Sequence, residues 1–110
     1  MTHAIRIHQT GGPEVLRWEQ IDVPAPAAGE ATVRHHAVGL NFIDTYHRTG
    51  LYPLSLPSGI GLEGAGAVTA AGEGVSEVIV GDRVAYAGGP PGAYAEVRNI
   101  LAHRLLTLPD

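Results

Sequence analysis

The 110-residue sequence predicts a mainly β fold, a partly open β-barrel with one or two short helices. Three observations predict it. Short runs rich in β-branched residues recur along the chain and are cut by Gly- and Pro-rich spacers. Only one segment combines helical spacing with a helix-ending signal. Nowhere does a strand-like run lead into the crossover helix of about a dozen residues that a parallel α/β sheet requires.

Residues 4–8, 15–21 and 31–38 alternate or are rich in β-branched side chains and read as the first three strands. Between them, Gly11-Gly12-Pro13 and residues 24–29 suit turns or extended connections, because proline fixes φ and removes a backbone donor. Residues 41–49 read as a helix. Phe42, Ile43 and Tyr46 fall at helical offsets, Asp44 can pair with Arg48 at i,i+4, and Gly50 supplies the stop. After a Pro- and Ser-interrupted loop over residues 52–58, residues 63–71 form a small-residue strand that turns at Gly72-Glu73-Gly74. Gly81-Asp82 introduces a strand over residues 83–87, a loop over residues 88–92 follows, and residues 93–97 and 105–108 supply further short strands. The stop at Leu108-Pro109-Asp110 reads as a truncation or a domain cut.

A chain of this length is one domain, able to bury roughly two thirds of its unfolded surface. Its 45% apolar and 16% charged content indicates a folded globule. All seven basic residues are arginines dispersed among eleven acids, for a net charge of -4, so no continuous basic surface is available and nucleic acid is not an expected partner. The absence of cysteine excludes disulfides, thiolate metal sites and a Cys nucleophile. With no signal-peptide core and no long apolar run, no membrane partner and a cytoplasmic location are expected.

Residues 59–64 (GIGLEG) match the glycine pattern of dinucleotide-binding turns. That turn works only where a buried strand feeds it and a helix N-terminus leaves it, because the helix end supplies the amides and dipole for the phosphates. Here Pro57 precedes the pattern and a β-like run follows, so close backbone packing is the better reading. The histidines offer little as a metal site. His35 and His36 are neighbours on a strand and point to opposite faces, while His3, His8, His47 and His103 are scattered.

The block VGLNFIDTYHRTGLYP over residues 38–53, followed by Gly61-Leu62-Glu63-Gly64-Ala65-Gly66, resembles the quinone oxidoreductase, zeta-crystallin-like branch of the medium-chain dehydrogenase/reductase superfamily. The similarity extends from residues 11–16 through residues 72–75 and 81–84 into Gly92-Ala93-Tyr94-Ala95-Glu96, and so covers nearly the whole chain. It implies a GroES-like N-terminal catalytic domain over residues 1–110, without the Rossmann domain that carries the cofactor turn. It also implies a difference from zinc alcohol dehydrogenases, which place Cys and His where this chain has Asn41 and Leu62, next to an acid matched by Glu63. Thiolate or imidazole donors are what zinc needs, and Leu62 donates nothing, so no metal residue is assigned and no zinc is expected.

Without a Lewis acid, the fitting hydride acceptor already delocalises charge, as a quinone or strongly conjugated carbonyl does. The resemblance therefore implies NADPH as cofactor, held mainly by the absent domain, and a small-molecule quinone as substrate. It puts Asn41, Phe42, Ile43, Asp44 and Tyr46 beside the nicotinamide or its ribose, and Tyr46 and Tyr52 at the acceptor as catalytic residues. Read from the residues alone, Asn41 can equally be an N-cap, Asp44 and Arg48 a surface ion pair, and Tyr46 a core-facing aromatic. Glu63 is expected as a structural acid and Trp18 as core or rim packing. Two functions compete: the catalytic portion of a quinone reductase, expected as a homodimer and inactive as this fragment alone, or a non-catalytic module that dimerises or binds a partner through its exposed cleft face.

Overall fold

The computed structural model describes residues 2–109. Eight strands, β1 (Thr2–Ile7), β2 (Arg17–Ile21), β3 (Glu30–Gly39), β4 (Ser58–Gly59), β5 (Glu63–Ala71), β6 (Arg83–Ala87), β7 (Val97–Leu101) and β8 (Leu106–Thr107), surround one helix, α1 (Phe42–Thr49), among the described residues. All pairings are antiparallel and form two sheets, ordered β2-β1-β4 and β7-β3-β5-β6-β8. The fold is mainly β, as the sequence predicts. No helix among the described residues is long and apolar enough to cross a membrane.

The expected barrel does not close through continuous strand pairing. The seam is instead the short segment 94–96, which bonds to both sheets: Ile5 N–H donates to Tyr94 O (2.7 Å), Glu96 N–H to His3 O (3.0 Å) and His35 N–H to Glu96 O (2.9 Å). This segment falls within the strand expected over residues 93–97. Its backbone is divided between two partners and leaves only an isolated bridge between Ala4 and Ala95, so the regular strand begins at Val97. Val15 likewise lies outside its expected strand, in a 3-10 turn led by Pro13, whose fixed φ favours that start. The pair β1–β4 requires Ser58, which the sequence places in a loop, and Gly59, which it places in the closely packed glycine run.

Two cores result. Val33, Val68, Val84, Tyr86 and Ile100 fill the larger, inside the five-stranded sheet, and Ile7, Val15 and Ile60 the smaller, with Tyr94 packed against it. Small residues of β5 let β3 come close: a Cβ on Gly66 would lie 2.0 Å from the Arg34 carbonyl oxygen. Gly61, at φ +99°, brings the turn before β5 against the Tyr94 ring, where a Cβ would meet the ring at 2.6 Å. The glycine-rich run 59–64 thus packs backbone closely and feeds a strand, with no helix N-terminus behind it.

Candidate functional site

The helix begins where β3 ends. Asn41 is extended, with φ -128° and ψ 156°, and its N–H donates to Asp44 Oδ2 at 3.1 Å, while Asp44 N–H donates to Asn41 O at 3.0 Å. An acid in the first turn satisfies an otherwise unpaired donor and suits the positive end of the helix dipole. The other end stops at Gly50, left-handed at φ 90°, whose N–H reaches Tyr46 O (3.1 Å). Arg48 turns aside to donate from Nε to Gly11 O at 3.1 Å. The expected Asp44–Arg48 pair therefore does not form: Asp44 is buried at 3% exposure, and Oδ2 instead accepts from the Tyr94 hydroxyl at 2.5 Å. Asp44 Oδ1 and His47 Nδ1 are buried without a protein partner.

The helix is turned inside out relative to an ordinary amphipathic one. It buries Asp44 and His47 and exposes Phe42 (83%) and Tyr46 (37%), beside Leu40 (81%), Leu51 (65%) and Tyr52 (49%). Scattered exposed apolar residues mean little, but several together above buried polar ones mark a face made to be covered. Tyr46 and Tyr52 meet edge to face, ring centroids 5.4 Å apart, and neither is core packing. Ile43 is half-buried.

Asn41 also reaches the start of β5. Its Nδ2 donates to Glu63 Oε1 at 3.4 Å, and Gly39, opposite Glu63 in the ladder, leaves room for that carboxylate. The structure thus brings Asn41 and Glu63 together, with Leu62 half-buried alongside. An amide, a carboxylate and a hydrocarbon stand at the corner where the resemblance sets zinc ligands in other enzymes. Among the described residues no three His, Cys, Asp or Glu side chains converge as a metal cage. While Glu63 lines a smaller cleft with Gly39 and Tyr86, a cleft of about 500 Å³ is lined among others by Trp18, His36, Leu40, Tyr94 and Glu96. Trp18, 59% exposed, stacks on His3 at its mouth, a rim position. Asn41, Phe42, Tyr46 and Tyr52 themselves stand on an open rim outside it.

Two polar groupings escaped the sequence reading. Tyr94 lies in the quoted Gly-Ala-Tyr-Ala-Glu run, yet only the fold brings it to Asp44, fifty positions away. Its hydroxyl is held protonated well above the ordinary range, first by burial and then by Asp44. Behind the site, His35 Nδ1–H donates to Ala95 O (2.7 Å), so the neutral ring's Nε2 accepts from Tyr86 OH (2.8 Å). Arg98 then donates to the Tyr86 oxygen at 3.4 Å and to Pro90 O at 3.0 Å.

The profile of the alcohol dehydrogenase GroES-like domain matches residues 27–110. The chain belongs to that family. This GroES-like chain is 51% identical over 111 residues to a quinone oxidoreductase of Pseudomonas aeruginosa, covering all of the chain and 34% of the relative. It is 49% identical over 110 residues to quinone oxidoreductase 1 of Escherichia coli, again 34% of that protein. Among solved structures, the Pseudomonas syringae quinone oxidoreductase superposes with a TM-score of 0.97 at 50% identity, covering 100% of this chain and 34% of that one. The Escherichia coli quinone oxidoreductase complexed with NADPH gives 0.95 at 49%, covering 99% and 33%. The GroES-like chain thus spans about a third of the length of these relatives.

Proposed function

We propose that the chain is the N-terminal catalytic domain of a longer enzyme that reduces a quinone with NADPH and without zinc. The observation that carries this reading is the inverted helix: α1 hides Asp44 and His47 and offers Phe42 and Tyr46, with Tyr52 just past its end, to whatever covers it. Identity near one half to quinone oxidoreductases over the whole chain supports the same reading.

The residues present fit a nicotinamide. Asn41 leaves an amide at the exposed start of α1, and Phe42 offers an open aromatic face beside it. In this reading Asn41, Phe42 and Ile43 line the nicotinamide and its ribose, while a Rossmann domain outside this chain holds the phosphates. Asp44 is too deeply buried for direct contact and serves by fixing the first turn. When bound, NADPH supplies the reducing equivalents. Tyr46 and Tyr52 flank the acceptor ring, and the Tyr46 hydroxyl donates to the oxygen on which charge develops. Leu62 keeps the corner dry and Glu63 orients the Asn41 amide. The same reading places the enzyme in the cytoplasm as a homodimer.

The test follows NADPH absorbance with 1,4-benzoquinone, comparing this chain with a protein extended by its own downstream coding sequence. Turnover by the extended protein alone, unaffected by a chelator, is expected. Loss of turnover on chelation, with good reduction of simple aldehydes, would falsify the zinc-free assignment.

A further inference from the structure

Tyr94 links three parts of the site's framework, the seam, the turn before β5 and the start of α1. Its backbone belongs to the seam: Ile5 N–H donates to Tyr94 O at 2.7 Å and Tyr94 N–H to Ile60 O at 2.9 Å. Its ring lies against Gly61, which has no Cβ to push it away. Its hydroxyl donates to Asp44 Oδ2, the same oxygen that accepts the Asn41 N–H. One buried carboxylate oxygen therefore joins the seam between the sheets to the residue that opens α1. The other oxygen, Oδ1, has no protein partner, so the carboxylate's orientation depends on the two bonds to Oδ2.

We propose that Tyr94 is a positioning residue: its hydroxyl holds Asp44, and Asp44 in turn holds Asn41 in the pose that meets the nicotinamide. The cofactor half of this inference rests on the function proposed above. A phenol holds its proton at neutral pH in any case, and burial and the neighbouring Asp44 only push its loss further up, so the donor is always available. Without it, Oδ2 keeps only the Asn41 N–H and the carboxylate is free to rotate its unpartnered oxygen into that place. The Asn41 turn then loosens, while the aromatic packing of residue 94 is retained in a phenylalanine.

The experiment uses Tyr94→Phe, with Asp44→Asn as a second variant that keeps the shape of the carboxylate. In the 110-residue chain, amide exchange at Asn41 is expected to accelerate about tenfold in Tyr94→Phe, while amides in the centre of β5 keep their protection. In the extended protein, the same variant is expected to raise the NADPH KM several-fold, with kcat at saturation little changed, the pattern of lost cofactor positioning. The double variant is expected to be no worse than Asp44→Asn alone, because both act through one oxygen. Unchanged exchange at Asn41 overturns the positional link. Faster exchange with an unchanged KM overturns the step from Asn41 to the cofactor. An unmodified extended protein that neither binds NADPH nor reduces benzoquinone overturns the proposed function and with it the cofactor half, while the exchange measurement still decides the positional half.

Discussion

At Asn41 a single side chain faces two demands, opening a helix and, on the proposed function, meeting a nicotinamide, and the fold separates them. The N-cap geometry is held by Asp44, leaving the Asn41 amide free to reach Glu63. Asn41→Ala in the extended protein should therefore weaken NADPH binding while costing little stability, read from KM and from urea unfolding of the same sample. His35 makes a different prediction. Burial, first, and the charge of Arg98 hold its pKa below 6.5, opposed by the bond to the Ala95 carbonyl. The unfolded chain takes up a proton near 6.5 that the folded one refuses, so stability is full above that value and falls as pH drops below it. His35→Asn should flatten the loss between about pH 7.5 and about pH 5.5 in thermal melts; an equally steep loss in the variant would show that other groups set it. Asn41, Phe42 and Tyr46 sit in one contiguous block, which is what let the resemblance single them out. Tyr94 and the His35–Tyr86–Arg98 chain were not legible in the sequence, because their partners lie many residues away and only the ladder registers bring them together.

Elements whose signals are local came through with their boundaries. The small-residue strand expected over residues 63–71 is β5, that over residues 83–87 is β6, and the helix expected over residues 41–49 is α1 with Asn41 as its cap. Elements defined by their neighbours did not: β4 exists only because β1 offers it an edge, and residues 94–96 lost their expected strand because they serve two sheets at once. Glycines at two elements carry testable weight. Gly50→Ala places a side chain in the left-handed region and should cost about 1 kcal/mol or slightly more in urea unfolding, with loss of helical signal. Gly66→Ala drives a methyl into the Arg34 carbonyl and should cost on the order of 3 kcal/mol, because backbone in the middle of the β3–β5 ladder has nowhere to move.

Across the whole molecule, the two cores are buried within the sheets, while Leu40, Phe42, Leu51 and Tyr52 stand exposed on and around α1. A chain presenting such a rim should self-associate when nothing else covers it. Sedimentation of the 110-residue chain should show concentration-dependent association, abolished by Leu40→Asp with Phe42→Asp; association that persists in that variant would place the contact elsewhere, for example at the exposed Ile79 and Val80. Mainly β architecture was readable from punctuation alone, whereas the division into two sheets was not, since an open barrel and two seamed sheets share the same strand pattern. Trp18 carries a last consequence. It is the chain's one indole and keeps more than half of its surface in water when folded, so unfolding should barely change the colour of its emission. Reduced nicotinamide absorbs where indole emits, and Trp18 shares its cleft with Leu40, the neighbour of Asn41. On the proposed function, Trp18 is an optical antenna: dimming of emission on adding NADPH to the extended protein, beyond what free NADPH absorbs and lost in Trp18→Phe, would register binding without any label.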